Sequence, residues 1–168
     1  GDAGNNLGGD GALELIAADS VGSVAVWRAD GSPVWEVQTS GLCAQGVTLT
    51  SSLRHDGSVQ LIVTTTAGVV HVLEGRTGAD VAPFPMRTND RILSAALVVQ
   101  LEAGDNTTLA PHIVFTSFDG YLYVVNAHTG CYERVDFGEH SYTQVLADDI
   151  TGNGHIDLLL STMNGNVF

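Results

Sequence analysis

One short unit recurs four times: an apolar run, a pair of small or hydroxyl residues, a glycine turn, and an alternating strand. Its first copy is Leu15-Ile16-Ala17-Ala18-Asp19-Ser20-Val21-Gly22-Ser23-Val24-Ala25-Val26, and the others lie at 61–72, 112–124 and 158–168. The turn glycines Gly22, Gly68, Gly120 and Gly165 are spaced by 46, 52 and 45 residues. A period of this length marks stacked supersecondary units, none of which can bury its apolar face alone.

Each unit reads as a β-hairpin. Short runs of Val, Ile, Leu and Thr favour strands, and a turn glycine supplies the positive φ that tight hairpins need. A second turn follows at Asp30-Gly31, Thr77-Gly78 and Thr129-Gly130 and leads to an edge-like strand, as at 33–37. Another strand stands before each later hairpin, at 46–50, 95–99 and 142–147. Four antiparallel strands per unit of about 45–50 residues is the expected blade of a β-propeller. The alternative all-β reading, a sandwich, does not explain the fixed period and the repeated order of turns. No segment shows a helical period. The expected blades are about 1–40, 44–88 and 92–138, with a partial fourth at about 141–168. Roughly three and a half blades do not close a ring of the usual four to eight. The chain therefore reads as part of a larger ring whose remaining blades lie outside it.

Composition narrows the function. Six Lys and Arg stand against 19 Asp and Glu, for a net charge of −13. Such a chain repels phosphate backbones and anionic lipid, which excludes nucleic acid as a partner class. Cations, basic partners and neutral sugars remain. No apolar run approaches the roughly 20 residues of a membrane span. Cys43 and Cys131 lie 88 residues apart and form no metal-type pair. They read either as free thiols or, in an oxidising compartment, as a bridge. Asn106-Thr107-Thr108 is an N-glycosylation sequon in a polar stretch.

The best-formed turn before a strand is Asp149-Ile150-Thr151-Gly152-Asn153-Gly154-His155-Ile156-Asp157. A calcium loop between two strands needs oxygens at alternate positions, a glycine that lets the chain fold back, and a closing carboxylate. Asp149, Thr151, Asn153, the backbone carbonyl of His155, and Asp157 supply these. Calcium takes 6–8 oxygens, and water or Asp148 would complete the set. Two formal charges imply modest affinity, and the flexible cage suits Ca²⁺ better than Mg²⁺. The competing reading is an Asx-rich turn without metal. Asp10 and Glu14 form a weaker second candidate in the first copy. The second copy keeps only Asp56-Gly57, with Gln60 at the closing position, and the third carries a polar insert at 102–111. Both read as plain loops.

The pattern Asp-x-(Asp/Asn)-x-(Asp/Asn)-Gly-x-x-Asp before an apolar strand resembles the FG-GAP repeats of integrin-α-like propellers. Residues 116–123, 145–149 and 161–168, with Asp19-Ser20, Gly22 and Ala25-Val26-Trp27, more specifically resemble the plant DEFECTIVE IN EXINE FORMATION family. The resemblance covers most of the chain. It implies the C-terminal part of the propeller region of a secretory-pathway protein, with a signal and a membrane anchor outside this segment. It further implies calcium binding and a role in laying down pollen-wall or cell-surface matrix. Carried over by position, Asp149, Asn153 and Asp157 are the cation ligands. Thr151 stands where the family has an acid or amide, which lowers the expected affinity.

Enzyme readings find little support. The turns Ala127-His128-Thr129-Gly130 and Gly75-Arg76-Thr77-Gly78 resemble blade-end turns of quinoprotein propellers, but the Trp pattern recurs only at Trp35, and the adjacent cysteines are missing. The six histidines are scattered, and no His-Glu-x-x-His or Gly-x-Ser-x-Gly occurs. His71, between Val70 and Val72, is expected to face solvent or a neighbouring blade. Asp148 and Asp149 are expected to point to opposite sides. Trp27, Trp35, Phe118, Tyr121, Tyr123 and Tyr142 read first as inter-blade packing and second as sugar-stacking surfaces. The expected function is a non-enzymatic calcium-binding module that meets a protein or polysaccharide of the cell surface or wall. The alternative is a lectin-like or glycan-processing module.

Overall fold

The computed structural model describes residues 13–54, 56–102 and 108–168. Among these residues there are only strands, turns and loops. Asp10 and Asn106, two of the candidate site residues, lie outside the described residues.

Among the described residues, thirteen strands form four antiparallel sheets. The first sheet joins β1 (Glu14–Ala18), β2 (Ser23–Arg28) and β3 (Pro33–Gln38). The second joins β4 (Cys43–Thr50), β5 (Gln60–Thr65), β6 (Val69–Glu74) and β7 (Met86–Arg87). The third joins β8 (Leu97–Glu102), β9 (Leu109–Thr116), β10 (Tyr121–Asn126) and β11 (Tyr132–Asp136). The last pairs β12 (Leu146–Asp148) with β13 (Asp157–Leu159) and continues into a bridge between Ser161 and Val167. Within each sheet the strands follow chain order, so every connection is a hairpin.

The strand expected after Thr77-Gly78 is interrupted. Asp80 makes a lone bridge to Leu73, and regular pairing resumes only at Met86. Pro83 and Pro85 stand between them, and proline has no N–H to offer a ladder. The strand expected at 142–147 likewise shortens to β12. Ahead of it, Ser141 and Thr143 turn their hydroxyls onto the Ser161 carbonyl, at 2.7 and 3.0 Å.

The sheets pack face to face in sequence order, and each seam is an apolar cluster. Val24 and Val26 meet Leu61, Val63 and Leu73 between the first and second sheets. Ile62, Val70 and Val72 meet Ile113, Phe115, Tyr123 and Val125 between the second and third. Val114 and Leu122 meet Val145 and Leu160 between the third and fourth. Alternation explains the assignment: odd and even residues of β5 point to opposite neighbours, and all of β5 is buried. Each such side chain contributes about 1.5–3 kcal/mol by leaving water.

Polar side chains stitch the same seams. Trp35 donates Nε1–H to the Gly75 carbonyl at 2.8 Å. His128 Nε2 lies 2.7 Å from the Leu53 carbonyl. A carbonyl only accepts, so Nε2 carries the proton. Thr64 donates to Ser94 O at 2.8 Å and Thr48 to Ala96 O at 2.9 Å. Within the third sheet, buried Tyr123 donates to Oδ2 of Asp119, in the β9–β10 turn, at 2.6 Å. Burial, with Asp119 behind it, pushes that phenol up to about 12.

The stack has two ends. One carries the glycine hairpin turns, where a backbone bond repeats: Thr66 N–H to Leu42 O, Phe118 N–H to Arg91 O, and Met163 N–H to His140 O, each 2.9 Å. The other carries the turns around Gly78 and Gly130, together with the loop at 149–156.

Candidate functional site

The loop at 149–156 is closed by a strand pair. Leu146 lies opposite Leu159, Ala147 opposite Leu158, and Asp148 opposite Asp157. Leu158 and Leu160 anchor this hairpin against the third sheet. The closing carboxylate of Asp157 is therefore fixed by the ladder, while 149–156 must turn within the remaining span.

Side-chain oxygens shape the turn. Asp149 accepts from Asn153 N–H with Oδ1 at 2.9 Å and from Gly154 N–H with Oδ2 at 2.8 Å. Asn153 Oδ1 accepts from His155 N–H at 2.8 Å. Asp157 Oδ2 accepts from both the N–H and the hydroxyl of Thr151, each at 3.0 Å. Gly154 takes φ +84°, which only glycine adopts freely. The N–H of Gly154, then those of Asn153 and Gly152, with His155 nearby, hold the Asp149 carboxyl below its ordinary range. Asp148 turns away to accept its neighbour's N–H, from Asp149, at 2.8 Å.

The structure thus gathers Asp149, Thr151, Asn153 and Asp157 in one turn, as two separate hydrogen-bonded sets: Asp149 and Asn153 with the N–H groups of 153–155, and Asp157 with Thr151. Among the described residues no cluster of three or more His, Cys, Asp or Glu is placed to hold a metal. Any cation here would rest on two carboxylates, one amide, one hydroxyl and the His155 carbonyl. That set is compatible with a hard cation. A carboxylate oxygen that accepts one N–H keeps a second lone pair, and the Thr151 hydroxyl can donate to Asp157 while its oxygen accepts. Residues 150–156 are exposed and Asp149 and Asp157 are half-buried, so water screens the charges and is at hand to fill the remaining positions.

His155 points away from the turn and reaches the third sheet, with Nδ1 3.3 Å from Glu102 Oε1. Beside this contact is a hollow of about 510 Å³ lined by Leu101, Glu102, Leu109, His155 and Ile156, among others. Sequence reading missed this contact, because 53 residues separate its partners and only the seam brings them together.

The other candidates fare differently. Glu14 stands at the start of β1 opposite Arg28, and its suggested companion Asp10 is outside the described residues. Asp56 forms a plain Asx turn, accepting from Ser58 N–H at 2.9 Å, and Gln60 is wholly buried. His71 does not face solvent: it is 7% exposed, with Nδ1 3.0 Å from Asp80 Oδ1. It faces the first sheet, because it pairs with Val63, which packs there. Cys43 is half-buried and Cys131 exposed, and both are free thiols.

Trp35 and Tyr121 pack in seams. Phe118 is layered between the Arg91 guanidinium at 4.8 Å and the His140 ring at 4.8 Å. Tyr132 and Tyr142 are about half exposed.

No family model and no curated protein matches this sequence. Solved structures do. BamB from Moraxella catarrhalis shares 19% identity at TM-score 0.61, over 92% of this chain and 40% of its own. BBS1N, solved in complex with ARL6DN, shares 15% at TM-score 0.66, over 96% and 51%. The WD40 β-propeller domain of Doa1 shares 12% at TM-score 0.61, over 99% and 47%. The chain spans about half the length of these neighbours. At such identities the likeness shows fold alone, and with four stacked antiparallel sheets it establishes a partial β-propeller.

Proposed function

We propose that this chain is a non-catalytic β-propeller module that binds a protein or polysaccharide partner and is stiffened by calcium at 149–157. The carrying observation is the set of side-chain oxygens that Asp149, Thr151, Asn153 and Asp157 contribute to one turn, on a hairpin that the third sheet anchors. Calcium supplies charge neutralisation and cross-linking between these oxygens. The chain's residues do the rest. Asp157 is fixed in the ladder; Asp149 and Asn153 hold the turn; Thr151 ties the turn to Asp157. Because only the folded loop gathers these groups, a bound cation stabilises the fold by mass action, about 2.7 kcal/mol at a hundredfold excess over Kd.

A protein partner is supported by the neighbour BBS1N, crystallised in complex with ARL6DN. Work on the lumenal or extracellular side, in matrix or wall assembly or adhesion, is proposed from the sequence pattern of the repeats. A millimolar calcium supply outside the cell would suit a site of modest affinity.

The test is thermal unfolding with and without calcium. We expect Tm to rise with Ca²⁺, to rise less with Mg²⁺, and not to respond in Asp157→Ala. A full calcium shift retained in that variant would sink the assignment.

A further inference from the structure

The turn at 149–157 also holds a dipeptide with covalent chemistry of its own. Asparagine followed by glycine occurs twice, at Asn153-Gly154 and Asn164-Gly165. At such a step the glycine backbone nitrogen can lose its proton and attack the asparagine Cγ. A C–N bond forms, ammonia leaves, and a five-membered succinimide remains. Water then opens the ring, and the residue ends as aspartate or isoaspartate. Glycine favours the closure because no Cβ crowds the attacking nitrogen. Water is the only co-reactant.

Asn153 and Gly154 are both exposed, so water reaches the step. What the fold decides is the state of the attacking nitrogen. Gly154 N–H donates to Asp149 Oδ2 at 2.8 Å, and Asn153 N–H donates to Oδ1 of the same carboxylate at 2.9 Å. The Gly154 nitrogen attacks only as an anion. A carboxylate at hydrogen-bond distance holds the proton in a charge-assisted bond and repels the anion that its loss would leave. The amide is restrained as well. Asn153 Oδ1 accepts from His155 N–H at 2.8 Å, against any swing of Cγ onto that nitrogen.

The other Asn-Gly step is built differently. Gly165 N–H donates to a neutral acceptor, the Thr162 carbonyl, at 3.0 Å. The nearby Glu139 carboxylate bonds the side chains of Thr162 and Asn166 instead.

We propose that Asn153 is a latent deamidation site and that the Asp149 carboxylate holds it closed through Gly154 N–H. Opening the step turns Asn153 into a carboxylate. It adds a third to a turn whose side chains carry two, Asp149 and Asp157. The change runs one way, because the ammonia is lost. The guard needs no bound cation, so it stands or falls apart from the calcium reading.

The test is incubation of the 168-residue chain at neutral pH with a chelator, followed by mass spectrometry of its peptides over time. Asp149→Asn keeps the side chain's shape and one acceptor oxygen but removes the charge. Conversion at Asn153 should then rise at least about fivefold. Asn164, in the same molecule, should keep its rate and so report an intact last hairpin. Exchange of the Gly154 amide hydrogen, read by NMR, passes through the same amide anion. It should be slow in the parent and quicken in step with the conversion. Glu102→Ala frees His155 from the third sheet but leaves the Gly154 bond, and should move neither rate by more than about twofold. Unchanged rates in Asp149→Asn would overturn the proposal. So would an equal rise at Asn164, or equal gains in Glu102→Ala, since either would show that loosening of the chain and not the carboxylate sets the rate.

Discussion

Asp157 carries two duties that its place in the chain separates poorly but its geometry separates well. Its backbone sits in the β12–β13 ladder, while Oδ2 takes both donors of Thr151. Replacing it removes the acceptor of both Thr151 bonds. Asp149 offers a second handle. Its carboxyl lies below the ordinary value of 3.8, chiefly because Gly154 N–H holds the charged form. A depressed folded-state pKa adds stability that is present above the unfolded value and is lost as pH falls through the folded one. Asp30 and Asp56, each held low by a serine, and Glu139, held by Thr162 and Asn166, shift the same way. We therefore expect Tm to fall on acidification below about pH 4. Asp149→Asn should flatten that acid limb, as a melting series from pH 6 to 2 would show. An unchanged limb would mean that the N–H bonds to Asp149 do not form in solution.

At the scale of the element, the hairpin turns are held by the neighbouring sheet as much as by their own chemistry. Gly78 shows this. It takes φ +71° and lies against the Trp35 ring. Gly78→Ala meets both a strained backbone and a clash, and should cost about 2–4 kcal/mol. Gly31→Ala meets the strain alone, at φ +84° in open space, and should cost about 1 kcal/mol. Urea unfolding of the pair separates backbone from packing, and equal losses would refute the contact. Trp35→Phe keeps most of the ring but removes the bond to Gly75 O, so a loss of about 1 kcal/mol is expected in the same assay. The fourfold repeat makes the hairpins legible in sequence, since glycine and β-branched residues act locally. The break at Pro83 and Pro85 could have been read as well, because proline cannot donate to a ladder. The shortening of β12 could not, since it depends on which carbonyl the hydroxyls of Ser141 and Thr143 find.

At the scale of the molecule, the apolar seams carry the stability, and their loss should be felt unequally. Phe115, wholly buried and stacked on Tyr123 at 5.3 Å, should cost about 3–5 kcal/mol when cut to Ala. Leu49, half exposed on β4, should cost well under that when cut the same way. Denaturant midpoints of the two variants give the comparison, and similar values would argue that the second and third sheets do not pack as described. The buried hydroxyls carry a second message. Thr64 and Thr116 look in sequence like ordinary strand residues of high β propensity, and Ser94 and Ser117 like loop residues. In the fold, Thr64 donates to the Ser94 carbonyl, the Ser94 hydroxyl lies 3.2 Å from Thr116 N, and Ser117 donates to the Asp90 carbonyl at 3.2 Å. They satisfy backbone groups that burial between sheets would otherwise strand.

What the sequence determined by itself is local and periodic. Alternation set the strands, glycine set the turns, and the interval between turns set the repeat. The hydrogen-bonding oxygens of 149–157 were legible too, because a tight turn draws its partners from one short segment. The tertiary structure decided what distance in sequence conceals. It turned His71 inward toward Asp80, joined His155 to Glu102 across a seam, and left Leu15 and Leu146 exposed. The physical reason is common to all three. A strand's alternation says which residues share a face, but only the packing of sheet on sheet says what that face meets.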